Sequence, residues 1–442
     1  MSDRSDAPIA VMGSGFAAYG AAHRLEREGR AYVAYDEASV FGGHTTTHVL
    51  PGGWIFDEGP HVSFTKDERL QALFAANVDG AFESVPIKLN NYWRGHWIVH
   101  PAQVNLHGLP AELVVSIIRD FASAPEVSES DIRDYDHWCR LAYGDTFAET
   151  FPLTYGRKYH TTSMDQLTTD WLGPRMYRPT LEEMLRGALA PAPITEVHYV
   201  THFRYPTFGG YSSYLRPWAE RADLRLDHRL VGLDPKARRL RFANGVEVEY
   251  SAVVSSVPLP DLVPCIDGAP DDVLQAAARL AFTGVVLVNL GIDRRDDLSD
   301  AHITYFYDED VIFSRASFPH LLSPMAAPHG KGSIQAEVYY SDKYRPLDRP
   351  LDEIIEEVVV DLRRCGVLRD SDTILIREAQ VARYGNVIYN HDRADAVATI
   401  HAFLDDAGVT YAGRYGEWNH LWTDQAFLSG ERAASDVLDR LR

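Results

Sequence analysis

The residues near the start of the chain that could do chemistry are Gly13-Ser14-Gly15-Phe16-Ala17-Ala18 and, further on, Asp36. Glycine at 13 and 15 lets the backbone approach a pyrophosphate closely, and the helix N–H groups that follow would hold its negative charge. Ala18 takes the third position of that spacing as a small residue for helix–strand packing. Asp36 falls roughly twenty residues on, where a carboxylate takes ribose hydroxyls. Glycine spacing alone is a weak signal; flanked by a strand, a helix and the acid, it specifies a dinucleotide. A second glycine pair, Gly42-Gly43, stands six residues past Asp36, and a bare NAD site has no use for it.

A β-α-β unit must position these groups. Ile9 to Met12 reads as a short buried strand, and Ala17 to Glu28 as a helix with Ala22 and Leu25 towards the sheet. Gly29 ends that helix and Tyr32 to Tyr35 forms the next strand. A hairpin follows over Thr46–Leu50 and Trp54–Phe56, with Pro51-Gly52-Gly53 as its turn, and leads into Asp57-Glu58-Gly59-Pro60-His61. Helices are expected over 67–77, 109–122, 131–141, 181–188, 213–221, 351–365 and 424–441. Tyr92 to Pro101 reads as a hairpin. Strands are expected at 224–226, 230–233, 239–242, 246–250, 285–290, 302–307, 311–314, 333–340, 374–381 and 409–412, with Val253 to Pro258 leading back towards the cofactor.

The fold class is therefore α/β, a Rossmann-like dinucleotide domain with a helical insertion and an antiparallel-sheet substrate domain. Residues 1–80, 200–265 and 405–442 are assigned to the discontinuous cofactor domain. Residues 105–195 form the mainly helical insertion, and 81–104 with 266–404 the substrate domain.

Composition narrows the partners. The 442 residues include 63 acidic and 43 basic ones, a net charge of −20. That field repels nucleic acid and anionic membrane, so an anionic substrate requires a local cluster of arginine. Cys139, Cys265 and Cys365 are far apart, which gives neither a zinc-ligand spacing nor a disulfide framework. No apolar run approaches the roughly 18 residues of a membrane span, and the first residues carry no signal-peptide core. A soluble cytoplasmic protein without a metal is expected.

Gly42-Gly43 after the ribose acid resembles the large flavoprotein group that includes the amine oxidases, which favours FAD over NAD. Further residues resemble the UDP-galactopyranose mutase family over almost the whole length. They are Gly59-Pro60-His61, the Trp93–Pro101 hairpin, Arg175 in Gly173-Pro174-Arg175, Tyr205-Pro206 with Gly209-Gly210-Tyr211, Arg315, and Gly413-Arg414 with Asp424. The resemblance implies a ring contraction of a nucleotide sugar without net oxidation, begun when N5 of reduced flavin attacks the anomeric carbon and displaces the diphosphate. Such covalent catalysis splits one hard step into two easier ones.

By the same resemblance His61, Arg175 and Arg315 are the catalytic set, and the arginine forks suit a pyrophosphate leaving group. For each arginine the alternative is an ordinary salt bridge, and for His61 a structural imidazole. FAD contacts are assigned to Gly13, Gly15, Phe16, Ala17, Asp36, Glu37, Gly42, Gly43, His44, Gly59, Pro60, His61, Gly413, Arg414, Asp424 and Gln425. Substrate contacts are assigned to Arg175, Arg315, Tyr159, His420 and Tyr339 or Tyr340, with Tyr340 taken forward; core packing is the alternative for the tyrosines. A nucleotide sugar, an external or NAD(P)H electron donor for the flavin, and a homodimeric partner complete the expectation.

The chain departs from the family pattern after Gly413-Arg414. His420 stands where the family has a tyrosine, Trp422 where it has an acid, and Phe64 where a second histidine is frequent. An altered nucleotide sugar and an altered flavin reaction both fit these changes. The alternative function is an FAD-dependent oxidase or dehydrogenase of amine-oxidase type. A third is a flavin-binding partner protein without catalysis.

Overall fold

Short apolar runs separated by glycine and polar turns build a parallel sheet of five strands, in the order 409–411, 253–255, 9–12, 32–35 and 224–225. The computed structural model describes residues 7–125, 128–173, 176–191, 193 and 200–442. Both faces of the sheet are covered, as a parallel sheet requires. Ile9, Val11 and Ala34 pack against the helix Phe16–Arg27 and the C-terminal helix Thr423–Arg440. Ala10, Met12 and Val33 pack on the other side against Asp271–Arg279 and Arg393–Asp406.

The first and last helices cross backbone to backbone. A Cβ placed on Gly20 would run into the Phe427 carbonyl, and one on Gly430 would run into the Ala17 carbonyl and lie 2.8 Å from the Ala21 nitrogen. Only glycine permits that approach. The crossing fixes the end of the chain against the first turn of the dinucleotide helix.

A second sheet has seven strands in the order 374–388, 281–292, 332–340, 315–317, 303–306, 89–93 and 96–99. It is antiparallel apart from the 303–306 and 89–93 pair. Strand alternation gives the sheet two unlike faces. Val286, Val288, Leu290, Ile334, Ala336 and Val338 pack with Ile355, Val358 and Leu362 of the helix Leu351–Arg364. The alternate residues Asn289, Gln335, Glu337 and Tyr339 form the opposite, polar face, and all four are buried.

The segment 311–314, expected as a strand, is a loop, and pairing begins only at Arg315–Ser317. The buried Asp361 carboxylate accepts from Ile312 N at 2.7 Å, which takes that amide out of any ladder. The helix expected at 213–221 divides into Tyr211–Tyr214 and Arg216–Arg221, with Pro217 in the first turn of the second piece. The helix expected from 131 begins at Tyr135 because Asp134 caps it, accepting from His137 N at 2.8 Å. The short helices Asp145–Thr150 and Pro152–His160 had no clear period to announce them.

Replacing Gly20 with alanine should cost about 1–3 kcal/mol through overpacking at the helix crossing. Thermal unfolding of the flavin-free protein reads this directly, and an unchanged midpoint would contradict the crossing.

Candidate active site

The Gly13–Gly15 turn and the Gly42–Gly43 turn are pressed together. A Cβ on Gly15 would lie 3.4 Å from the Gly42 carbonyl, and one on Gly43 would lie 3.2 Å from the Gly15 Cα. Gly42, at φ +126°, donates its N–H to the Ser14 carbonyl at 3.2 Å. The helix that starts at Phe16 has no side-chain cap and no acid in its first turn. Its leading N–H groups are therefore open to an anion, which is the physical requirement for a pyrophosphate. Asp36 closes the cradle, accepting from the Ser14 hydroxyl at 2.6 Å and from Ala38 N at 2.9 Å. Neighbouring Glu37 has its carboxyl pushed above the ordinary range by burial, with Asp36 and Asp261 adding repulsion. On the far side, Gly413 abuts Ala17, and its N–H is held by Ser429 Oγ at 2.8 Å. These residues fit a dinucleotide with a ribose at Asp36.

The loop after the first hairpin carries His61 towards this cradle. Its Nδ1 lies 3.0 Å from the Gly59 carbonyl, and its ring sits 5.6 Å from that of Tyr211. Burial lowers the imidazole pKa to about 4, and the nearby charges of Arg414 and His44 act in the same direction. His61 is thus uncharged at neutral pH. His44 pairs with Glu58 at 3.3 Å and packs on Tyr415, with ring centres 4.7 Å apart. Arg414 donates to the Leu421 carbonyl at 3.0 and 2.8 Å and to Asn386 Oδ1 at 3.3 Å. Gln425 Oε1 accepts from Trp422 N at 3.0 Å, and Asp424 lies in the first turn of the same helix.

The polar face of the seven-stranded sheet supplies the other wall. Arg315 and Glu337 are directly paired across adjacent strands. Their side chains form a two-pronged bridge, Nε to Oε1 at 2.6 Å and Nη2 to Oε2 at 2.7 Å. Burial pulls the Arg315 pKa down, but Glu337, Tyr339 and Tyr155 together outweigh it and hold the guanidinium well above its usual value. Tyr339 donates its hydroxyl to Glu337, and Arg315 Nη2 stands 3.5 Å from the Tyr339 oxygen. The Tyr305 hydroxyl also interacts with the Arg315 guanidinium. Tyrosines wall this pair: Tyr159 lies 4.6 Å from Tyr339 and 5.6 Å from Tyr155, and Tyr155 lies 5.7 Å from Tyr305.

A hydrogen-bonded chain ties the two walls. Gln335 Nε2 donates to the Asp57 carbonyl at 2.8 Å and to Asn289 Oδ1 at 2.9 Å. The Asp57 carboxylate accepts from Thr47 Oγ1 at 2.5 Å, Tyr205 Oη at 2.6 Å and Tyr211 N at 3.0 Å. Burial raises the Asp57 pKa to about 6, against the pull of those three donors.

The structure brings His61, Asp36, both glycine pairs, Gly413 and Arg414 around one cradle, and Arg315 with Tyr159 around the tyrosine-walled pair. Tyr340 is corrected: alternation turns it to the opposite face, where it packs with Ile355 and Val358 and meets Gly284 across the strand pair. Tyr339 takes the place beside Arg315. His420 stacks on Tyr389 at 5.0 Å and lies 6.0 Å from Trp171. Arg175 lies outside the described residues. Glu337, Tyr155, Tyr305 and Asp57 were not singled out from the sequence. Glu337 had a usable signal, an acid at every-other spacing with Gln335 and Tyr339 inside an otherwise apolar strand.

The family model for flavin containing amine oxidoreductases matches residues 20–438. The chain is similar to a crystal structure of reduced UDP-galactopyranose mutase, with a TM-score of 0.91 and 21% identity over 98% of this chain and 96% of that one. A protein described as a protoporphyrinogen oxidase from Exiguobacterium sp. matches with a TM-score of 0.74 and 16% identity, over 98% and 99%. A fatty acid isomerase from P. acnes that produces CLA matches at 0.67 and 13%, over 98% and 99%. The mixed α/β architecture is that of the flavin amine oxidase group. Among the described residues no helix is long and apolar enough to cross a membrane, and no group of His, Cys, Asp or Glu could hold a metal ion.

Two buried groups give pH signatures of opposite sign. His61 is lowered from 6.5 to about 4 on folding, so the unfolded chain binds the extra proton and stability falls as pH drops through that window. Asp57 is raised from 3.8 to about 6, so the native state holds the extra proton and stability falls as pH rises through that window. Urea unfolding across mildly acidic pH should show a shallower acid-side loss in His61→Gln. In Asp57→Asn the loss on raising pH should be smaller. Profiles parallel to wild type would contradict both assignments.

Proposed function

The chain belongs to the flavin containing amine oxidoreductase family, and we propose that it interconverts the pyranose and furanose forms of a nucleoside-diphosphate hexose without net oxidation. The observation that carries this reading is the buried Arg315–Glu337 pair with its tyrosine walls. Glu337 fixes the guanidinium through Nε and Nη2 and so holds its outer edge in one place to meet an anion. A diphosphate is the complementary group, because a fixed guanidinium is pre-organised for its oxygens. The alternative of an oxidase acting on an amine would set a cationic substrate against Arg315.

FAD would be held by the backbone of Gly13, Gly15, Phe16 and Ala17 at its pyrophosphate and by Asp36, with Glu37 beside it, at its ribose. Gly42, Gly43, His44, Gly59, Pro60 and His61, with Gly413, Arg414, Asp424 and Gln425, would enclose the rest. When bound and reduced, the flavin supplies the nucleophilic nitrogen that the interconversion needs. An external reductant or NAD(P)H would maintain that state. The chain's own contribution is positional and electrostatic. Arg315 draws the diphosphate and its developing charge, a role the family resemblance also gives to Arg175. Tyr159, Tyr155 and Tyr339 exclude water and offer ring faces to the base or sugar. His61, being neutral, adds no charge beside the sugar carbon. His420 and Trp422 replace the family's tyrosine and acid, which supports a nucleotide sugar other than the usual one.

The amine-oxidase alternative is favoured by the family match itself, so the test must separate the two. Enzyme reduced with dithionite is expected to convert nucleotide hexopyranoses to furanoses, detected by chromatography, while oxidised enzyme does not. Conversion that consumes oxygen in proportion to product would overturn the proposal.

A second prediction concerns the clamp. Arg315→Ala strands Glu337 in a buried setting and should cost about 3–5 kcal/mol of stability. The pair Arg315→Met with Glu337→Gln should recover that stability yet still bind UDP more weakly by about 2–5 kcal/mol. Calorimetry on the double variant that found wild-type UDP affinity would remove Arg315 from the clamp.

A further inference from the structure

The helix Pro152–His160 carries Tyr155 and Tyr159 of the tyrosine wall and, between them in sequence, a cationic side chain withdrawn from water. Lys158 is 8% exposed, and its Nζ donates to the Phe306 carbonyl and to the Asp308 carbonyl at 2.9 Å each. These acceptors bracket Tyr307 at the end of the strand Ile303–Phe306, which carries Tyr305. The Tyr155 ring lies 5.7 Å from Tyr305 and 5.7 Å from Tyr307. We propose that Lys158 is a positioning residue: it bolts the tyrosine helix to that strand end and so sets the width of the aromatic slot beside Arg315. The proposed function seats the base or sugar in that slot, and the importance of Lys158 for a ligand rests on that reading.

Burying an ammonium is costly, and an unbranched apolar side chain would fill the same space without that cost. What lysine adds is two directed hydrogen bonds across the gap between two elements. Burial lowers its pKa to about 7, with Asp308 and Asp361 pulling the other way. Ammonium and amine alike can donate to two carbonyls, so the bolt survives either state. The strand end is also anchored from its other side, because the Asp308 carboxylate accepts from Arg94 N at 3.1 and 2.9 Å. A fixed strand end and a bolted helix leave the rings little freedom, and a pre-organised site feels small displacements of its supports directly. Packing by itself would hold the fold here, since Phe151 also touches Tyr307 with ring centres 5.1 Å apart. Only a positioning role ties the amine to ligand affinity.

Lys158→Met on the flavin-loaded full chain removes both donors at nearly constant volume. Calorimetry with UDP should show affinity about tenfold weaker, the scale of a lost hydrogen bond, with the flavin spectrum unchanged. Arg157→Gln, which loses surface bridges to Glu149 and Glu309, should bind UDP as wild type does. Without ligand, amide hydrogen exchange in Lys158→Met should quicken over Pro152–His160 and the strand end at 306–308, and keep wild-type rates in the Gly13 cradle. If Lys158→Met does not fold, Lys158→Gln, which keeps an amide donor on a shorter stem, should shift both readouts the same way by less. A lower unfolding temperature with UDP affinity unchanged would make Lys158 merely structural and overturn the proposal, as would unchanged exchange over Pro152–His160. Wild type that binds no UDP would instead refute the nucleotide-sugar reading; localised faster exchange would then uphold the bolt, and uniformly faster exchange would overturn it.

Discussion

Glu337 and Arg315 face each other from adjacent strands in the interior of a sheet. Two charges removed from water cost several kcal/mol each unless geometry and further hydrogen bonds compensate. Much of the surrounding structure answers that demand. The bridge is two-pronged, Tyr339 donates to the carboxylate, and Tyr155, Tyr159 and Tyr305 close the site around it. A pair so enclosed is a poor device for stability, since an apolar pair of equal volume would serve as well. It makes physical sense as a device that holds a guanidinium in a fixed place. The proposed function rests on that inference more than on any one family motif.

The cradle solves a different problem, close approach of backbones. Gly15 meets Gly43, Gly413 meets Ala17, and Gly20 and Gly430 let the first and last helices touch. The C-terminal helix therefore sets where Arg414, Trp422 and Gln425 stand relative to the Gly13 turn. Asp57 and Gln335 join this unit to the polar face of the large sheet. Two buried groups at the junction, Asp57 and His61, titrate away from their ordinary ranges in opposite directions because burial disfavours the charged form of each.

The cradle was legible in the sequence because its requirements are local. Gly13, Gly15, Asp36 and Gly42-Gly43 lie within one β-α-β unit, and each residue type answers a steric or electrostatic need there. Arg315 was found through resemblance, but its facing could not be read, since the loop over 311–314 breaks the alternation before it. The sequence does not separate Tyr340 from Tyr339, because two adjacent tyrosines in a strand differ only in the face they take, and pairing decides that. Glu337 was readable in principle from the polar alternation with Gln335. Tyr155 and Asp57 were not, because their roles depend on contacts with residues more than a hundred positions away.

Central to the proposed function is a flavin site that works without net electron transfer. The absorbance of oxidised flavin, followed anaerobically while reduced enzyme turns over a nucleotide hexose, tests it most directly. Many product molecules per enzyme are expected, with the flavin remaining reduced throughout. Stoichiometric change in flavin oxidation state with each product formed would contradict it.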